Sequence, residues 1–218
     1  MYKFIATLFY LTITSITYGQ IWIPFYCDRG CDHVLKNDST GTFVYAGNDS
    51  SKIVFISKNY TTYKLFDRNY NLLVEGDLGG RVYTEYFKRF GKWTAYYDNG
   101  KPKAIGYYYA SQPIGLWQSF FENGQLSETY TIALIETDSS SGYCMMGLYQ
   151  EFYENGQIKV NGFYKAAMDT IHIQVNDPDT GEETSNFTVY RRPVSKPFGI
   201  WTYYKQNGEL ERKEEFRE

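Results

Sequence analysis

Histidine is almost missing from this sequence: 218 residues contain two, His33 and His172. Catalysis through an imidazole therefore has two places to reside. His172 falls on the polar side of an alternating run, where a surface role suffices. An excess of charge of one sign is missing too. Lys+Arg 22 against Asp+Glu 25 leaves a net charge of −3, and no run of five basic residues occurs. A phosphate backbone finds no electrostatic footprint here, so a nucleic-acid partner is excluded. The G-x-S-x-G, P-loop and H-E-x-x-H motifs are all absent. Asp98, Glu122 and Glu154 recur before Asn-Gly dipeptides, but Asp and Glu are ordinary at turns. The sequence reads as non-enzymatic, with no catalytic, cofactor-binding or metal-ligating residues and no cofactor.

Long apolar runs are confined to the N-terminus. Lys3 precedes a mostly apolar stretch from Phe4 to Ile16, and Thr17-Tyr18-Gly19 puts small residues before Gln20. That order predicts a cleavable signal peptide over residues 1–19, although the same residue types also favour a strand. Cleavage near Gly19-Gln20 implies an extracytoplasmic protein, in the periplasm, envelope or medium. No later stretch reaches the ~18 apolar residues of a membrane helix, so no transmembrane segment is expected in the mature chain.

Cysteine is scarce: Cys27, Cys31 and Cys144. In an oxidising compartment Cys27 and Cys31 would close a small disulfide loop, leaving Cys144 as an odd thiol. A metal site using Cys27, Cys31 and His33 lacks a fourth ligand and a second short-spaced pair. Two inert thiols are the third alternative.

What the chain has in abundance is aromatic side chains, 19% of the sequence, and 43% hydrophobic residues in all. Rings fit a pleated surface better than a helix flank, so the composition leans towards β structure with a core. The aromatics are organised in a repeat. GKWTAYYDNG from Gly91, GLWQSFFENG from Gly115, GLYQEFYENG from Gly147 and GIWTYYKQNG from Gly199 align without gaps. Their recurring positions are Gly91, Trp93, Asn99 and Gly100; Gly115, Trp117, Asn123 and Gly124; Gly147, Tyr149, Asn155 and Gly156; and Gly199, Trp201, Asn207 and Gly208. A stretch from Tyr63 reads as a degenerate copy with a longer turn. The repeat starts thus fall near 63, 91, 115, 147 and 199.

Each block predicts a β-hairpin: an aromatic run, Asn-Gly, then a second strand-forming run. A two-residue turn sets Trp93 opposite Gly106 and Tyr149 opposite Gly162, each ring lying over a glycine. A three-residue loop with a glycine bulge fits as well, shifts the register by one residue, and is expected to break that pairing. Residues 165–198 read as an extra hairpin inserted between the last two repeats. Residues 137–142, rich in Ser and Asp, read as a flexible loop. Residues 20–62 form an N-terminal β cap with two strands, TFVYA and KIVFIS. The charged run at 211–218 suits the last unit of an array.

The pattern G-x-W-x-x-[YF]-[YF]-[DE]-N-G-[QK]-[LI] resembles the bacterial variant of the MORN repeat, a family often labelled YwqK-type toxin–antitoxin antitoxin. The resemblance runs from about Tyr63 to Phe216 with the long insertion as an interruption. It implies an all-β fold of tandem antiparallel hairpins stacked into an elongated single-layer sheet. It also implies a scaffold or interaction surface, antitoxin-like in name, with a protein partner. Trp93, Trp117, Tyr149 and Trp201 are expected to hold the array together. Tyr96, Phe120, Phe152 and Tyr204 are either structural or form a stripe for a partner protein or a glycan. A glycan-binding module and a neutraliser of a partner toxin are the alternatives to an exported scaffold.

Overall fold

The computed structural model describes residues 34–37, 39–46, 49–57, 59, 61–79, 88–137, 140–176 and 183–217. The expected signal-peptide segment 1–19, the expected cleavage site at Gly19-Gln20, the Cys27–Cys31 pair and His33 lie outside the described residues, as does all of segment 20–33.

Fourteen strands and no helix make up the described chain, all in one antiparallel sheet. The first five are β1 (Val34–Asn37), β2 (Gly41–Ala46), β3 (Asp49–Ser57), β4 (Thr62–Asp67) and β5 (Leu72–Gly79). Next come β6 (Lys88–Tyr96), β7 (Pro102–Tyr109), β8 (Gln112–Phe120), β9 (Leu126–Glu136) and β10 (Ser141–Met145). The last are β11 (Gly147–Phe152), β12 (Ile158–Asn176), β13 (Glu183–Tyr204) and β14 (Leu210–Phe216). Each strand pairs with its neighbours in sequence, except that β9 lies between β8 on one side and both β10 and β11 on the other. The two expected N-terminal strands are β2 and β3. They join the same sheet.

The four repeats are the hairpins β6–β7, β8–β9, β11–β12 and β13–β14. Their turns carry three residues between the closing pair. In the first, the Gly100 N–H donates to Tyr97 O and the Tyr97 N–H to Lys101 O, each at 2.9 Å. Gly100 adopts φ +77°, the left-handed region in which a Cβ is penalised. This is a type I turn closed by a glycine bulge rather than the two-residue turn. The expected register nonetheless survives, because Trp93 pairs with Gly106 and Tyr149 with Gly162. The reason is a second extra residue. Tyr96 pairs with Pro102 but Ala95 with Ala104, so Lys103 bulges out and restores the alignment. Ser127, Lys159 and Glu211 do the same in the later hairpins.

The degenerate copy, β4–β5, has the same turn and not a longer one. Asp67 N–H bonds Asn71 O, Tyr70 N–H bonds Asp67 O, and Tyr70 takes the glycine's place at φ 62°. Tyr63 then pairs with Gly76, as Trp93 does with Gly106.

Alternation along each strand sends one set of side chains to a common core face. Trp93 is fully buried at 0% exposure, and Trp117, Trp201 and Tyr149 follow at 3%, 5% and 9%. Ring contacts join Tyr63, Trp93, Tyr108 and Trp117 in one run, and Tyr149, Tyr164, Trp201 and Phe216 in another. The rings do lie over glycines, but over those of the preceding hairpin. A Cβ on Gly76 would collide with Trp93, one on Gly106 with Trp117, and one on Gly162 with Trp201. Where that glycine position is instead Tyr130, the next tryptophan position is Tyr149, and the ring-over-glycine seat is absent.

Both insertions extend strands. Thr137 N–H donates to Ser140 O at 2.8 Å, and Ser141 and Gly142 open β10 against the far half of β9; residues 138 and 139 of the loop expected there lie outside the described residues. Residues 165–176 and 183–198 prolong β12 and β13 as a ladder from Lys165↔Lys196 to Gln174↔Phe187, with a register shift before Asn176↔Glu183. Its base lies against β10, where Met145 N–H donates to Ser195 Oγ at 2.7 Å. β14 ends the sheet with every side chain but Phe216 exposed, a charged edge that discourages strand addition.

Candidate functional site

The face opposite the core is where a thin sheet meets its surroundings. Tyr96, Phe120, Phe152 and Tyr204 all project there, two positions beyond Thr94, Gln118, Gln150 and Thr202. All four are half-buried rather than exposed. Tyr96 is also engaged: its hydroxyl donates to Glu75 Oε1 at 2.6 Å, and Glu75 pairs with Lys64 at 3.2 Å. Burial, then the hydrogen bond and charge of Glu75, push the Tyr96 phenol up to about 12. The Tyr96 hydrogen bond in turn holds Glu75 below the usual carboxylate range, with Lys64 helping.

The exposed apolar side chains of that face come from a position the sequence reading passed over. It is the residue between the opening glycine and the tryptophan or tyrosine. Leu116, Leu148 and Ile200 occupy it at 46%, 43% and 59% exposure. Leu148 pairs with Phe163 across β11–β12, and Phe163 with Phe198 across β12–β13. Phe163 and Phe198 are 49% and 44% exposed, so the group forms a contiguous apolar patch on three adjacent strands. Its sequence signal was a leucine or isoleucine recurring next to a glycine, where Lys92 stands in the first repeat.

Along one edge the turns are tied together. Each turn asparagine accepts a backbone N–H two residues on, and the first three donate to a carbonyl of the next turn. Asn99 Nδ2 reaches Glu122 O at 3.2 Å, Asn123 Nδ2 reaches Glu154 O at 3.0 Å, and Asn155 Nδ2 reaches Gln206 O at 2.8 Å. Asn207 accepts from Glu209 N–H at 3.0 Å and has no further turn to reach. Tyr97 and Tyr153 add bonds from their hydroxyls to Phe120 O and Tyr204 O, each 2.7 Å. The turn spacing is therefore kept across insertions of very different length.

Asp98, Glu122 and Glu154 sit at separate turns. The carboxylates that do meet are Glu128 and Glu151, directly opposite each other on β9 and β11. The Tyr149 hydroxyl lies 2.9 Å from Glu128 Oε1 and 2.7 Å from Glu151 Oε1, and one phenolic hydrogen serves one of them at a time. Lys159 Nζ stands 3.1 Å from Glu151, which leaves Glu128 as the poorly compensated partner. Burial raises the Glu128 pKa; the Tyr149 bond opposes that and the Glu151 charge adds to it. Tyr149 itself is pushed far above the ordinary phenol, first by burial and then by the two carboxylates.

Cys144 is a buried free thiol whose pKa burial raises. Among the described residues no group of three or more His, Cys, Asp or Glu side chains is arranged to hold a metal ion.

Residues 91–108, 113–132 and 147–166 match the MORN repeat variant family. These are the hairpins β6–β7, β8–β9 and β11–β12. Repeats of this kind generally mediate protein or membrane interactions. No curated protein matches the chain. Among the described residues no helix is long and apolar enough to cross a membrane.

Proposed function

We propose that this chain is an exported, non-enzymatic interaction scaffold that captures a protein partner on the face opposite its aromatic core. The observation that carries the reading is the exposed patch of Leu148, Phe163, Phe198 and Ile200. Side chains of this size rarely stay together in water on a surface without a partner. The turn-to-turn ties and the ring-over-glycine seats favour a fixed presenting surface, which lowers the ordering cost of binding. Export rests on the residue order of segment 1–19.

Two measurements test it. Intact mass of the protein recovered from fractionated host cells should show a chain beginning at Gln20 outside the cytoplasm; a full-length cytoplasmic chain removes the export claim and favours an antitoxin-like neutraliser. Crosslinking in the host, followed by mass spectrometry, should identify a protein at the patch with the unaltered chain. The variant Leu148→Ser/Phe163→Ser, shown to be folded by its unfolding transition, should lose that crosslink. Retention of the crosslink by the folded variant moves the interaction away from this face.

A further inference from the structure

Cross-strand pairing fixes which side chains share the face opposite the core, and the charges around the apolar patch on that face are unequal. On β12 and β13 the pair Phe163↔Phe198 is followed by Lys165↔Lys196, on the same face two residues further along each strand. Like charges directly opposite one another are destabilising. Lys165 leans over the Phe198 ring, its Nζ 4.7 Å from the centroid, where the negative ring face favours it. Lys196 stays exposed. Beyond the other end of the patch Lys213 of β14, also exposed, pairs with Thr202, two residues on from Ile200. Lys196 and Lys213 therefore stand at the two ends of the stretch that carries Phe198 and Ile200.

Among the described residues neither of these two lysines has a carboxylate within ion-pair distance. The carboxylates of the same face have cations of their own. Glu75 pairs with Lys64 at 3.2 Å, and Glu215, opposite Ile200, pairs with Arg217 at 2.6 Å. Asp169 stands directly opposite Arg192. The patch is thus bordered by uncompensated positive charge in a chain whose net charge is −3. A neutral or basic partner covering the patch would strip water from these lysines and give nothing back. Carboxylates beside them turn that cost into attraction and steer the approach.

We propose that the occupant of this face is an acidic amphipathic segment of a partner protein, with apolar side chains on Leu148, Phe163, Phe198 and Ile200 and carboxylates at Lys196 and Lys213. The inference rests on the patch being a docking surface and adds the chemistry of what docks. Glu215 and Asp169 oppose a continuous anionic surface such as a lipid layer, whereas a segment can set its carboxylates beside the two lysines alone.

The test titrates the full chain into fluorescently labelled synthetic peptides that share one pattern of Leu and Phe and carry Glu, Gln or Lys at the remaining sites. Anisotropy should show saturable binding, about tenfold tighter for the Glu peptide than for the Gln peptide at low ionic strength, with the ratio shrinking as salt is added. The Lys peptide should bind most weakly. Lys196→Glu/Lys213→Glu, shown to be folded by its unfolding transition, should reverse the order of the Glu and Lys peptides. Leu148→Ser/Phe163→Ser should weaken the Glu peptide by about tenfold. Equal affinities for all three peptides, lost in Leu148→Ser/Phe163→Ser, overturn the acidic partner and keep the docking surface. Binding that this variant leaves untouched removes both. An order of affinities unchanged by Lys196→Glu/Lys213→Glu, or no saturable binding of the Glu peptide, also overturns the proposal. So does binding to phosphatidylglycerol–phosphatidylcholine vesicles that the Glu peptide cannot displace and Lys196→Glu/Lys213→Glu abolishes, since the occupant is then a lipid surface.

Discussion

The ring of Trp201 occupies the space in which a side chain on Gly162 would stand. Trp93 stands in the same relation to Gly76, and Trp117 to Gly106. These glycines are thus half of a joint between one hairpin and the next, and the turn glycines do something different.

Gly106→Ala should cost about 3 kcal/mol, because the added methyl meets a buried indole that cannot retreat. Gly100→Ala should cost about 1 kcal/mol, since nothing lies within 4 Å of its Cβ position and only the φ of +77° is penalised. Urea unfolding of the two variants measures both. Equal losses would remove the distinction between joint and turn.

Tyr70 holds a left-handed conformation at φ 62° with its side chain 60% exposed, in a place where the other hairpins have glycine. Tyr70→Gly should therefore stabilise the protein, by about 0.5 kcal/mol once the extra freedom of glycine in the unfolded chain is counted. A loss of stability would show that the Tyr70 ring contact with Phe66, 6.4 Å between centroids, matters more than the backbone.

Asn123→Asp keeps the oxygen that accepts the Gln125 N–H but turns the donor towards Glu154 O into an acceptor. The expected loss is about 1 kcal/mol, the worth of one hydrogen bond with its replacement by repulsion offset by solvent. Asn207→Asp, which has no onward turn, should be neutral within about 0.3 kcal/mol. Thermal unfolding of the pair reads the difference. A matching loss at Asn207 would mean the cost lies inside the turn.

Glu128 has a folded pKa above its unfolded one, chiefly through burial. The folded state therefore holds more protons between the two values, and stability declines as pH rises through that window. Glu128→Gln should abolish this decline and stabilise the protein at neutral pH. About 0.2–1 kcal/mol is expected, the range for relieving like charges directly across two strands. A pH series of unfolding midpoints checks it; an unchanged slope in the variant would show that the decline does not arise at Glu128.

Aromatic runs broken by Asn-Gly made the hairpins and the tryptophan-bearing core face readable in the sequence, while the single antiparallel sheet was implied by the resemblance to the MORN repeat variant. The Trp93–Gly106 register was readable too, but for an incomplete reason. Two compensating irregularities, a turn bulge at Gly100 and a strand bulge at Lys103, cancel in the pairing and leave no trace in the spacing of residues. Ring seats on the preceding hairpin escaped notice because contacts between units depend on how strands order in space. Glu128 and Glu151 are far apart in sequence, and only the strand order β9–β11 makes them neighbours. β10 follows directly on a Ser-rich run and has no strand pattern of its own, since its partner β9 supplies the ladder. The exposed residues Leu116, Leu148 and Ile200 were in plain view beside the glycines. Strand alternation away from the tryptophan would have placed them on the outer face.

Nearly every strand is bonded to the strand made just before it and the strand made just after. Such a chain has few distant ends to bring together, so little loop-closure entropy stands in the way of each addition. Assembly can start from any well-formed pair and advance hairpin by hairpin, each newly formed edge serving as the template for the next. For a polypeptide delivered end first, as during synthesis or threading through a pore, the order of arrival and the order of assembly are then the same.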